Sequence, residues 1–220
     1  MAEKRIVSEQ RKSSRGNGRA AGDKAVTMNS LIAALASEEG LVRESARRRL
    51  VHVGRRAVRP LMKALASGDK HTRWEAAKAL GYLADPDAAP ALVRALQDEE
   101  FGVRWLAAEG LVLLDGEGLG PLLRALTEHP DSGWLRQGAH HVLRALSRRG
   151  FGEVARPVLA ALDGLEPALQ VPLAAEDARD ALARTRKQQP SRRGQGRASP
   201  QRAAGLASSP TSSKRERRSS

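Results

Sequence analysis

The chain has 220 residues, 38 Lys and Arg against 25 Asp and Glu for a formal net charge of +13, no cysteine, and only 3% aromatic residues. The lack of cysteine excludes disulfides, thiol nucleophiles and thiolate metal sites. No apolar run approaches the roughly 20 residues of a membrane span, and Met1 to Ser8 lacks the apolar stretch of a secretory signal. The expectation is a cytoplasmic protein without membrane contact, its core built from Leu, Val and Ala.

Residues 1–28 hold seven Lys and Arg against three acids, and 187–220 hold nine against one, which leaves 22 basic and 21 acidic residues between them. Both ends are rich in Ser, Gly, Pro, Gln and Arg and carry too little apolar area to offset ordering entropy, so two disordered basic tails are expected. Such tails favour nucleic acid, the ribosome or other polyanions through counterion release. The stretch 29–186 is a nearly neutral folded domain. In chain order its patterning predicts helices near 29–37, 42–53, 57–67, 71–84, 88–97, 103–114, 119–128, 134–148, 152–163 and 167–185, each boundary good to ~2–4 residues.

The helices repeat. Arg43/Ala46/Leu50, Arg73/Ala76/Leu80, Arg104/Ala107/Leu111 and Arg136/Ala139/Leu143 share one spacing, with successive arginines 30, 31 and 32 residues apart. A second column runs Leu35, Leu65, Leu96, Leu126 and Leu162, in phase with Pro60, Pro90, Pro121 and Pro157. Self-similarity at this period predicts an all-α, right-handed solenoid of about five helix-turn-helix units, each burying its apolar face against its neighbours. Proline falls in the opening turn of each first helix, where its missing N–H costs nothing. The last unit (Pro157, Leu162, Ala175, Ala178, Leu182) has a longer step and no arginine, as a capping repeat would.

These columns resemble HEAT repeats, in particular the short class named after phycobilisome lyases, with the consensus Asp-x-x-x-x-Val-Arg-x-x-Ala-Ala-x-Ala-Leu-Gly. The match runs from Asp69 to Gly81, with Thr72 in place of the valine, and from Asp98 to Leu111, with Val112 in place of the final glycine. By that resemblance the second helices line a concave groove.

Taking about 100° per residue, the positions before, three after and seven after each arginine form a buried stripe with the arginine at its edge. Arg43, Arg73, Arg104 and Arg136 are therefore expected to be structural, each stem packing between repeats and each guanidinium meeting an acid or carbonyl of a nearby turn, such as Glu39, Asp69 or Glu100. The positions one, five and nine after the arginine point the opposite way. They place Trp74, Lys78 and Tyr82 on the second unit, Trp105 and Glu109 on the third, and His141 on the fourth in one groove. Paired indoles there suit a peptide, a stacked base or a Lys or Arg side chain.

The segment Thr72-Arg73-Trp74-Glu75-Ala76-Ala77 is also similar to the repeats of deoxyhypusine hydroxylases, whose recurring His-Glu pairs bind two irons. Here the pair positions read Glu44-Ser45, Trp74-Glu75, Trp105-Leu106 and Gln137-Gly138. An indole offers no ligand to iron, which needs several convergent nitrogen and oxygen donors. His140 and His141 are adjacent and point about 100° apart on a helix, so they do not chelate one ion together. The HEAT-like alkylpurine DNA glycosylases are similar only in using groove Trp, Arg and an acid. No catalytic residue, cofactor or metal is expected. The sequence reads as a non-catalytic adaptor for a protein or peptide, with a nucleic-acid or ribosome binder driven by the basic tails as the alternative, and a phycobilisome-lyase-like or deoxyhypusine-hydroxylase-like enzyme ranked below both.

Overall fold

The computed structural model describes residues 27–188. Among them are ten α-helices and no strand: α1 (Met28–Ala34), α2 (Gly40–Val53), α3 (Val58–Ala64), α4 (Lys70–Leu83), α5 (Ala89–Ala95), α6 (Phe101–Leu113), α7 (Leu119–Glu128), α8 (Gly133–Leu146), α9 (Gly152–Leu162) and α10 (Pro167–Gln188). Both predicted tails lie almost wholly outside these residues.

The helix starts follow from local chemistry. Thr27 accepts from the Ser30 N–H and Ser30 answers onto the Thr27 N–H, a reciprocal cap that opens α1. Asp69 caps α4 by accepting from the Thr72 N–H at 2.6 Å, and Ser132 caps α8 through the Leu135 N–H. Short 3₁₀ turns at Gly54–Ala57, Pro86–Ala88 and Asp115–Gly118 lead into α3, α5 and α7. Pro60, Pro90 and Pro121 then fall within the first three positions of those helices, where the proline ring fits.

Four helix pairs, α1/α2 to α7/α8, stack in sequence, and the second helices α2, α4, α6 and α8 pack directly on one another. Leu35, Leu50, Leu80, Leu96, Leu111, Leu126 and Leu143 are fully buried, as are the alanines of the repeat column at 76, 107 and 139. Small residues in that column let the second helices approach. At the closest point a Cβ on Gly81 of α4 would meet the Gly110 Cα of α6 at 3.3 Å, which accounts for glycine at both places.

The fifth unit departs from expectation. In phase with the earlier units, α9 would join the first-helix layer and α10 the second. Instead α9 packs on α8, extending the second-helix layer, and α10 folds back against α7 and α9. The reversal begins at the turn 147–151, where Gly150 takes φ 103°, a conformation L side chains rarely adopt. Pro157 accordingly lies six residues into α9 rather than in its opening turn, and Leu162 is only half-buried. Ala175, Ala178 and Leu182 are buried as their spacing implies, but from α10 in the other layer. Helices α7 to α10 thus close into a four-helix end in which each helix packs on the next and α10 returns to α7.

Candidate interaction surface

The four repeat arginines act on their own turns. Arg43 donates through Nη1 to the Ser37 and Glu38 carbonyls, Arg73 to Ser67 and Gly68, Arg104 to Asp98 and Glu99, and Arg136 to Pro130. Each side chain reaches back five or six residues to carbonyls that the preceding helix leaves without partners. The acidic partners differ from those the sequence suggested. Arg73 pairs with Asp98 at 2.8 Å and Glu99 at 2.9 Å, across the seam to the third repeat, and these bonds raise its pKa above the ordinary arginine value. Arg43 faces Glu75 at 3.7 Å.

Glu75 is the centre of a buried cluster that the spacing did not reveal. Its Oε2 accepts from Arg47 Nε at 2.7 Å, and both side chains are almost closed to water. Arg47 also lies 5.7 Å from the Tyr82 ring. The signal was available: Arg47 stands four residues after Arg43, on the side of α2 that meets the next repeat.

The six expected groove residues lie on α4, α6 and α8, and the two indoles stand in different environments. Trp74 is half-buried, its ring edge resting on Gly102, where a Cβ would come within 3.1 Å of Cδ1 and Nε1. Lys78 covers the ring, its Nζ 4.6 Å from the centroid. Burial, with Arg47 close by, holds the Lys78 ammonium below the ordinary lysine pKa. Trp105, by contrast, is 46% exposed. It leans on His141 of α8, ring centroids 4.8 Å apart, and His141 Nε2 is 2.7 Å from Glu109 Oε1. The other histidine, His140, turns to Asp163 at 3.2 Å.

Trp74 has room to settle because the residue two before the next repeat arginine is Gly102. The same position on α8 holds Trp134. Trp134 is itself 48% exposed and lies over the Arg104 guanidinium at 4.5 Å, with Phe101 on Arg104 at 5.7 Å. Phe101, Trp105 and Leu113 are all exposed. They follow one another at four and eight residues, one stripe along α6. Phe101 and Trp134 are not among the expected groove residues, because they stand three and two residues before their repeat arginines, outside the positions one, five and nine after it.

Among the described residues no three His, Asp or Glu side chains gather as a metal site requires, and no helix is long and apolar enough to cross a membrane.

Stacked helix pairs with a repeating arginine, alanine and leucine column define the α-solenoid class. Within that class, the family of HEAT repeats matches residues 28–112 and again 58–144, and the chain belongs to the HEAT-repeat family. No curated protein matches it.

Proposed function

We propose that this chain is a non-catalytic HEAT-repeat scaffold that takes a protein or peptide segment along the second-helix face, with Trp105 at its centre. The observation that carries the reading is the stripe Phe101, Trp105, Leu113, joined by Trp134 from the next helix. Four large apolar side chains held open on rigid helices are costly in water unless another surface covers them. Trp anchors of this kind dominate binding energies at interfaces. Trp74, Lys78 and Tyr82 on α4 frame the stripe on one side and His141 on α8 on the other, with Glu109 within it.

The non-catalytic part rests on what the candidate groups already do. Glu75, the acid that survives from the hydroxylase-like His-Glu pattern, is engaged by Arg43 and Arg47 inside a seam. Glu109 is engaged by His141. The finer resemblance to phycobilisome-lyase-type repeats rests on Asp69–Gly81 and Asp98–Leu111 and implies a groove-shaped site on the same face.

A random peptide library displayed on phage and selected against the full chain tests this. Enriched peptides are expected to carry apolar residues, and Trp105→Ala with Phe101→Ala is expected to weaken them at least ~10-fold, as interface anchors do. The reading fails if the same peptides bind the double variant equally. Titration with single-stranded homopolymeric RNA covers the alternative. Binding that falls steeply between ~50 and 200 mM salt, and that is lost with 1–26 and 189–220 rather than with Trp105, would make the chain a polyanion binder instead.

A further inference from the structure

The first repeat leaves a seam open that every later repeat closes. The residue before the repeat arginine is 6% exposed at Thr72, 1% at Val103 and 0% at Leu135, because each rests on the preceding unit, whereas Val42 is 39% exposed. The same contrast holds six residues after the arginine, where Ala79, Gly110 and Val142 are buried and Arg49 is exposed. Two residues before it stands Leu41, 81% exposed. Together Leu31, Ala34, Leu41, Val42, Ala46 and Arg49 border a groove of about 370 Å³ between α1 and α2.

We infer that this seam is covered by the chain's own N-terminal segment, with Ile6 and Val7 in the groove. Residues 1–26 contain one pair of large adjacent aliphatic side chains, Ile6-Val7, within Lys4-Arg5-Ile6-Val7-Ser8-Glu9. Charge fits in one direction. Exposed Glu38 and Glu39 stand at the start of α2 and Arg49 lies further along it. Lys4 and Arg5 therefore face Glu38 and Glu39 while Glu9 faces Arg49. The spacing agrees: ten helical residues from Glu39 to Arg49 cover about 15 Å, and four extended residues from Arg5 to Glu9 cover about 13 Å. The tether also suffices. Nineteen residues separate Val7 from Thr27, and a chain of that length spans about 25 Å root-mean-square, against about 21 Å for the full 14 residues of α2. A capping segment of this kind gives the terminal repeat the polar outer face that solenoids require.

The absence of cysteine from the chain makes proximity directly measurable. Ser45 is exposed beside the groove, so Ser8→Cys with Ser45→Cys places one thiol next to Val7 and one at the seam. Ser14→Cys with Ser45→Cys is the control, with a shorter tether and no docking residues. Under diamide, the Ser8 pair is expected to close intramolecularly about 10-fold faster than the control, since docking raises the effective concentration above that of a free tether. Adding Ile6→Asp and Val7→Asp should bring it down to the control rate. Equal rates for the two pairs, or a Ser8 pair indifferent to the two aspartates, would overturn the inference. Disulfide-linked dimers whose rate rises with protein concentration would also overturn it and assign the seam to a second copy.

Discussion

Arg47 Nε and Glu75 Oε2 meet at 2.7 Å across the seam between the first and second repeats, with Arg43 standing 3.7 Å from the other carboxylate oxygen. The cluster ties two repeats together at a place otherwise held by leucine and alanine. Removing Glu75 leaves the buried Arg47 with only the half-exposed Glu44 at 4.0 Å, and stranding one charge of a buried pair costs more than the pair contributes. Glu75→Ala is therefore expected to lower stability by about 3–5 kcal/mol. Replacing both, as Arg47→Met with Glu75→Leu, should recover most of that loss. Denaturant unfolding of the three variants checks the order, and a Glu75→Ala variant as stable as the parent would show that the carboxylate does not hold the seam.

Asp69 offers a smaller effect with a defined pH window. Hydrogen bonding to the Thr72 side chain, the chief cause, together with the bond from the Thr72 N–H holds its carboxyl below the ordinary pKa of 3.8. A group whose folded pKa is depressed stabilises the fold above its unfolded value and loses that contribution as pH falls through the folded value. Asp69→Ala should thus cost about 1 kcal/mol at pH 7, the usual loss for a capping side chain. The gap between variant and parent should shrink as pH falls below about 4. A gap that stays constant down to pH 2 would place the contribution of Asp69 elsewhere than in its carboxylate.

Most of the solenoid could be read from the chain because its repeats bury the same positions. Leu50, Leu80, Leu111 and Leu143 are fully buried from one column, and the eight helices α1 to α8 fall where the period puts them. The layer of the last two helices could not be read, because Pro157 and Leu162 mimic the first-helix column while the reversal depends on the backbone of a single turn at Gly150. Nor could the unequal fates of Trp74 and Trp105, identical in phase. Trp74 settles on Gly102 of the next repeat, whereas Trp105 meets His141 of the next repeat and stays open. Periodicity reports which face a residue is on; how far it is covered depends on a neighbour some 30 residues away.

That difference separates the two indoles experimentally. Trp74 packs on Gly102 beneath Lys78, so Trp74→Ala is expected to cost about 2 kcal/mol, short of the roughly 3–5 kcal/mol of a fully buried ring. Trp105→Ala loses chiefly the tilted contact with His141, worth about 1 kcal/mol or less. For peptide binding the order reverses, with Trp105→Ala the more damaging. Equal stability losses would mean that Trp105 is as deeply packed as Trp74 and unsuited to anchor a partner.

Gly150 tests the reversed C-terminal end. Its φ of 103° lies where an L side chain collides with its own backbone, yet a Cβ built there would meet no atom within 4 Å. Any penalty in Gly150→Ala is therefore conformational, roughly 1–2 kcal/mol. Gly133 in α8 has equally open surroundings but no such conformation, so Gly133→Ala should be neutral or slightly stabilising. In a stack of repeats each unit leans only on its neighbours, so the loss at Gly150 should stay local. Amide exchange should quicken in α9 and α10, while α4 and α6 keep their protection. If Gly150→Ala behaved like Gly133→Ala, the turn would not be left-handed and α9 would have no reason to lie beside α8. The fifth unit would then stack in phase with the others, and α10, not α9, would extend the second-helix layer beyond α8.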